Sequence, residues 1–336
     1  MRLVQLRDPH GKRRLALVED DRLRLLGSFS TAYDAAVAAT QRAGRLSELV
    51  RVDLVGDTLE YDPIHRGRSD WRLLPAFDHP EEPARCLVTG TGLTHRHSAE
   101  ARNAMHATTT EGKAAPSHSL LMYQWGLEGG KPEPGRIGVA PEWFYKGSGL
   151  ILKAHGETLD VPAFAGDGGE EAEVVGVYLV DVEGRPWRVG MSIGNEFSDH
   201  VTESKNYLYL APSKLRQCAV GPELVVAAEF RDVRGTAWIE RAGARIWSRP
   251  VWTGEANMSH TLANLEHHHF KYAAHRRPGD VHLHFLGADC ISYHDAFRLE
   301  DGDEMGFEAP GFGRPLRNRL RVDTASERCI RLEALQ

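Results

Sequence analysis

The segment "GGEEAEVVGVYLVD" (residues 168–181) sets Glu170, Glu171 and Glu173 directly ahead of an apolar run of Val174, Val175, Val177, Leu179 and Val180. Alternate side chains of a strand share a face, so Glu171 and Glu173 point one way and Glu170 the other. Two carboxylates on one face at the edge of a buried strand repel each other unless a cation sits between them. Hard divalent ions such as Mg²⁺, with Mn²⁺ or Ca²⁺ as substitutes, take oxygen ligands of this kind. A solvated strand end produces the same Glu-x-Glu pattern. A second acid group shifts the balance toward a metal. "GMSIGNEFSDH" begins as a strand and turns polar at Asn195, Glu196, Ser198, Asp199 and His200. A "DVEGRP" turn lies between the two strands, the layout of a hairpin that sets Glu196 beside Glu171 and Glu173. Three carboxylates from adjacent strands would form an oxygen site with positions open to water and substrate; the plainer alternative is that Glu196 caps a loop.

Lys214, in "LAPSKLRQCAVGPEL", follows Glu196 by eighteen residues. A lysine close to a bound cation has its ammonium form disfavoured, which makes it a candidate base, although most lysines are surface charges. His97 and Glu100, in "GTGLTHRHSAE", lie three apart and would share one helix face, either to orient a water or as an ordinary surface contact. The triplet His267, His268 and His269 in "EHHHFKY" invites a zinc reading. Consecutive helical residues point about 100° apart, so the three cannot ligate one ion, and structure or solvent is expected. His282 and His284 alternate on one strand face, where packing is the expected role. "GDGGEEAE" lacks the Lys-Ser/Thr of a phosphate loop, and "PGFGRPLRNR" reads as a turn and a basic strand.

These groups need elements to hold them. In residues 1–62, "RLVQLRD", "RRLALVED" and "DRLRLLG" alternate as short antiparallel strands. "STAYDAAVAATQRAGRLSELV" has helical spacing, with Ser30 or Thr31 as N-cap and Gly44 as a break. The Pro- and charge-rich "YDPIHRGRSDWRLLPAFDHPEEPAR" places a boundary near residue 80, giving a small α+β lobe (1–80) and a larger domain (81–336). From residue 86 the signals are mostly short strands, "RIGVAP" and "GLILKA" among them, between glycine-rich turns. Only "HSAEARNAMH" and "SHTLANLEHHHFKYAAHR" read as clear helices there. The absence of strand–helix alternation argues against a doubly wound parallel sheet and for an α+β, mostly β fold.

The 336 residues are 41% hydrophobic and 26% charged, with a net charge of −6, and no basic stripe suggests nucleic acid. No apolar run reaches the length of a membrane span, and the first twenty residues carry scattered charge rather than a leader's apolar core. Cys86, Cys218, Cys290 and Cys329 form no Cys-x-x-Cys pair, so free thiols in a reducing cytoplasm are expected.

Five ordered matches over roughly residues 84–320 resemble the fumarylacetoacetate hydrolase superfamily. They are "GTGLTHRHSAE", "EWFYKG" with Lys146, the acids Glu171, Glu173 and Glu196, "PGDVHLHFLGAD", and the ending "GDEMGFEAPGFGRPLRNRL". The third ligand is glutamate where the family usually has aspartate, and the neighbouring arginine is absent. The family's terminal Gly-Thr is Gly287-Ala288 here. "PEWFYKG" and "GNEFSDHVTESKNYLYLAPSKLR", with the extra N-terminal lobe, resemble the sugar-acid branch, which includes 2-keto-3-deoxy-D-arabinonate (2-keto-3-deoxypentonate) dehydratases. The resemblance implies a mixed β-sandwich roll and Mg²⁺ on the three glutamates. It implies Glu142 and Lys214 as catalytic groups, with a His97–Glu100 water-activating pair for the rival chemistry, and Lys146, Ser198, Gly287 and Ala288 around substrate. It further implies a homodimer or homotetramer and dehydration of a 2-keto-3-deoxy sugar acid to 2-oxoglutarate semialdehyde. C–C hydrolysis of a 2,4-diketo acid or acylpyruvate is the rival activity, and a keto-acid binding protein the non-enzymatic one.

Overall fold

The acid hairpin forms in the expected register. The strands Ala172–Val180 and Pro186–Asn195 run antiparallel with Ala172 opposite Asn195. The Glu196 amide donates to the Glu171 carbonyl at 2.9 Å, which places those two acids side by side. Every residue of Ala172–Val180 is buried, as a strand covered on both faces requires. Asp181 closes the turn: its carboxylate accepts from the amides of Glu183 and Arg185 and from Trp187 Nε1 at 2.8–2.9 Å.

The computed structural model describes residues 1–42, 45–107 and 117–335. In the larger of two sheets the hairpin is central. On one side Val281–Phe285 pairs antiparallel with Ala172–Val180, followed by Cys86–Gly90 in parallel and then Phe144–Ser148. On the other side Leu224–Val225 joins Pro186–Asn195 to the N-terminal strand Arg2–Arg7, with Arg13–Glu19, Arg22–Leu26 and Leu54–Glu60 beyond it. The first eighty residues are thus hydrogen-bonded into the sheet that carries the acids. Leu3, Leu15 and Ala35 also share one apolar cluster with Val88, Val175 and Phe285. The second sheet is built from Ala244–Thr253, Val233–Arg241, Glu304–Glu308, Leu316–Val322 and Thr158–Val161. It packs on the hairpin through Val174, Met191 and Ile193 against Ile239, Phe307 and Leu316. The result is the α+β, mostly β architecture expected from the patterning.

Thr31 is the N-cap of Ala32–Thr40, its hydroxyl accepting from the Asp34 amide at 3.0 Å. Gly44 lies outside the described residues. The expected helices appear as Arg96–Ala107 and Leu262–Phe270. Beyond residue 80, three more among the described residues were not expected: His118–Gly129, His200–Lys205 and Leu210–Lys214. The last two are single turns, too short for a 3.6-residue period to show. In the first, glycine interrupts the pattern for a packing reason: a Cβ on Gly126 would lie 2.8 Å from His260 Nε2 and Ser259 Oγ. "RIGVAP", expected as a strand, is irregular instead. Side chains of Leu262–Phe270 take the place of a ladder. Asn264 bonds the Gly138 amide and the Val139 carbonyl, and His268 bonds the Gly138 carbonyl. Among the described residues no helix is long and apolar enough to cross a membrane.

Candidate metal and acid–base site

Carboxylate oxygens of Glu171, Glu173 and Glu196 lie within 4.8 Å of one another, and all three residues are buried. Glu170 turns to the opposite side, as strand alternation required, and accepts from the Ser292 amide and hydroxyl at 2.7 Å. Gly287 supports the cluster through its backbone, its amide donating to Glu173 Oε2 at 2.6 Å.

Lys214 stands at the end of the single-turn helix Leu210–Lys214. Its ammonium donates to Glu171 Oε1, to Glu196 Oε2 at 2.6 Å and to Ser198 Oγ at 3.0 Å. Lys146 approaches Glu196 from the far side, 2.5 Å from Oε1, and also donates to the carbonyls of Phe197 and Lys214 at 2.7 and 3.0 Å. His200 Nε2 lies 3.1 Å from Glu171 Oε1. Arg102, on Arg96–Ala107, extends the network. Its Nη1 is 3.0 Å from both oxygens of Glu142, and its Nη2 is 2.8 Å from Glu203 Oε1.

The charges decide what this assembly can hold. Five buried acids (Glu142, Glu171, Glu173, Glu196 and Glu203) face three cations (Lys146, Lys214 and Arg102) and His200. Burial opposes protonation of His200, but Glu171 outweighs it and raises its proton affinity. The formal excess is one negative charge with that imidazole protonated and two without. Burial and the carboxylates of Glu171 and Glu196 push the Glu173 carboxyl well above its ordinary range. Burial also opposes ionisation of Glu171, but Lys214 and His200 outweigh it and hold that carboxyl well below its usual value. For Lys214, burial opposes the ammonium, and the carboxylates of Glu171, Glu196 and Glu203 overcome that and raise its proton affinity. An oxygen-only donor set that carries surplus negative charge once Glu173 gives up its proton fits a hard divalent cation.

Thr91, Gly92, Leu93, Ser98, Arg102, Phe144, Glu171, Glu173, Lys214, Ala288, Ile291 and His294 line a small chamber over the acids. Glu142 borders it, and Gly92 is required there because a Cβ at that position would overlap Glu142 Oε2. Of the residues expected around substrate, Ala288 lines the chamber. Lys146 and Ser198 do not: both are buried behind Glu196 and position it, because their polar atoms are committed to the acid cluster. Gly287 contributes its amide to Glu173 and likewise is not part of the lining. His97 and Glu100 share a helix face as their spacing predicts, but that face turns outward. The His97 side chain is 66% exposed and bonds Asp289 at 3.0 Å, and Glu100 pairs with Arg96 at 2.7 Å. Ser98 and Arg102, four residues apart on the other face, take the inward positions. Arg102, Glu203, His200 and Thr91 had not been singled out as site residues. An arginine or glutamate on a polar helix gives no local sign of facing inward.

The three consecutive histidines diverge, as expected. His267 is exposed, His268 reaches Gly138, and His269 Nε2 lies 2.9 Å from His282 Nδ1. His269, His282 and His284 are buried together as tilted and edge-on rings, with half-buried His275 against His269. Burial pushes His282 and His284 down to about 3 each. The Glu171–Glu173–Glu196 group is the one cluster among the described residues with metal-ligand spacing.

No protein-family model matches the chain, and no curated protein matches it. Solved structures do. 2-Keto-3-deoxy-D-arabinonate dehydratase in its apo form superposes with a TM-score of 0.70 at 18% identity, covering 97% of this chain and 100% of that one. A structure of that dehydratase complexed with magnesium and 2,5-dioxopentanoate gives 0.70 at 17% identity, covering 96% and 99%. 5-Carboxymethyl-2-hydroxymuconate delta-isomerase from Mycobacterium smegmatis gives 0.59 at 16% identity, covering 96% and 100%. The chain shares the fold of these enzymes over 96–97% of its length.

Proposed function

We propose that the chain is a metal-dependent hydro-lyase that removes water from a 2-keto-3-deoxy sugar acid of the pentonate type. The observation that carries the proposal is the convergence of Glu171, Glu173 and Glu196 beside a chamber that the first two and Lys214 line and Glu142 borders. Glu171, Glu173 and Glu196 would hold the ion. A divalent cation bound there would polarise the 2-oxo group and stabilise negative charge on its oxygen. Proton traffic falls to the chain's own groups. Arg102 Nη1 pairs with both oxygens of Glu142 and aims that carboxylate at the chamber, and Glu142 takes a proton from C3. Lys214 supplies a proton to the departing C4 hydroxyl, which leaves as water. The resulting 3,4-double bond is conjugated with the 2-oxo group. A proton moved from C5 to C3 then gives the enol of the terminal aldehyde, which ketonises to 2,5-dioxopentanoate, the compound found with the structurally similar dehydratase. C–C hydrolysis would need a water activated by His97 and Glu100, and their outward placement does not favour it.

The test is the mass of the product formed from 2-keto-3-deoxy-D-arabinonate by the purified chain with Mg²⁺. Loss of one water, dependent on the metal, is the expected result. A split carbon chain from an acylpyruvate, or binding of the keto acid with no turnover, would overturn the proposal.

A further inference from the structure

The strand Cys86–Gly90 runs parallel to Val281–Phe285 and sets Thr89 beside His284. The buried His284 ring meets a threonine hydroxyl at each nitrogen: Nδ1 is 2.8 Å from Thr89 Oγ1, and Nε2 is 2.8 Å from Thr91 Oγ1. Burial and nearby His275 keep this imidazole neutral, so it offers one N–H and one lone pair. Among the described residues the Thr89 hydroxyl has no bonding partner besides His284 Nδ1. A proton on Nδ1 would leave the Thr89 O–H without an acceptor in the core. The satisfied arrangement is therefore Thr89 O–H donating to Nδ1, and Nε2–H donating to Thr91 Oγ1. The ring of His269, 4.6 Å away, packs on His284 and fixes its plane.

With its oxygen engaged as an acceptor, Thr91 keeps its own proton uncommitted, and Thr91 lines the acid chamber beside Ala288. An anionic keto acid entering that chamber needs donors. Before substrate enters, the N–H groups of Lys214 are directed at Glu171, Glu196 and Ser198, and its proton is the one assigned above to the C4 hydroxyl, so the acid group needs a different donor. We propose that Thr91 is a substrate-binding residue whose hydroxyl, turned by His284, donates to a carboxylate or oxo oxygen of the 2-oxo acid. This rests on the functional reading above and adds a specificity-determining contact to it.

The test uses the full chain with Mn²⁺, pyruvate as the simplest 2-oxo acid, and 2-keto-3-deoxy-D-arabinonate. Thr91→Val removes the hydroxyl at constant shape and weakens pyruvate binding by about 10- to 100-fold, as loss of one hydrogen bond to a charged oxygen does. KM for the sugar acid rises with it and kcat changes less. Thr91→Ser restores binding, and Mn²⁺ affinity stays at the wild-type value in both. Thr91→Cys, a weak donor of similar size, gives the same reading should the valine variant not fold. His284→Phe weakens pyruvate binding as Thr91→Val does. Wild-type pyruvate affinity in Thr91→Val overturns the role of Thr91 and leaves the functional reading standing. A wild type that binds neither acid with Mn²⁺ present overturns that reading and the role of Thr91 with it.

Discussion

The two faces of the strands Ala172–Val180 and Val281–Phe285 both bury polar side chains, and they neutralise them by different means. One face carries Glu171 and Glu173, in line with Val175 and Val177. The other carries His282 and His284, which pair across the ladder with Tyr178 and Gly176. Imidazoles escape the cost of burial by giving up a proton, and His269, His282 and His284 all do so. Three carboxylates within 4.8 Å have no such exit without surrendering their ligand chemistry. Two lysines and an arginine are drawn in around them and still leave negative charge uncompensated. The histidine face is therefore electrically complete, whereas the acid face has charge and oxygen donors to offer an incoming cation. His284 is where the two meet, through its bond to Thr91.

The largest expected effect tests whether the acid face does the chemistry. Glu142→Gln should lower kcat by about 10²- to 10⁴-fold, the range for loss of a general base, while Mn²⁺ affinity measured by calorimetry changes little. Near-wild-type turnover would remove Glu142 from the reaction. Next, Arg102→Met strips the partner from Glu142 and Glu203 at once. Two buried carboxylates left unpaired should cost about 3–5 kcal/mol in denaturant unfolding. A negligible loss would mean that these acids find other partners and that the charge accounting is wrong.

A smaller effect is expected on the histidine face. His282→Phe leaves His269 Nε2–H without its acceptor and should cost about 1–3 kcal/mol, with metal-supported turnover preserved. A collapse of turnover matching that of Glu142→Gln would erase the distinction between the faces. The smallest concerns the closed end of the acid hairpin. Burial pushes the Asp181 carboxyl up, but bonds from Trp187, Arg185 and Glu183 outweigh it and lower it from 3.8 to about 2. A folded value below the unfolded one stabilises above the ordinary range and is lost as pH falls toward about 2. Asp181→Asn should therefore cost roughly 1 kcal/mol at neutral pH, and the gap to wild type should close on acidification, read by thermal unfolding at several pH values.

How much of this was legible in the sequence follows from the range of the interactions involved. The convergence of Glu171, Glu173 and Glu196 could be read because strand alternation and a short turn are local rules, and together they fix a register within twenty-six residues. The divergence of His267, His268 and His269 could be read for the same reason, since helix geometry alone separates them. "RIGVAP" was misjudged because its apolar residues look like a strand, while its backbone partners, Asn264 and His268, lie far away in the chain. The outward turn of His97 and Glu100 was equally invisible, because spacing fixes which residues share a face but not which face is buried.

The sequence by itself determined the acid hairpin and the mostly β class, since periodicity acts over short stretches, while its pointer to Lys214 and Glu142 came through the family resemblance of its motifs. The tertiary structure alone decided that Arg102 clamps Glu142 and Glu203, that Lys146 and Ser198 stand behind Glu196, and that Thr91 lines the chamber while its hydroxyl bonds His284. Those choices depend on which elements are pressed together and on the need of every buried charge and donor for a partner there, a condition no single stretch of chain can satisfy or reveal.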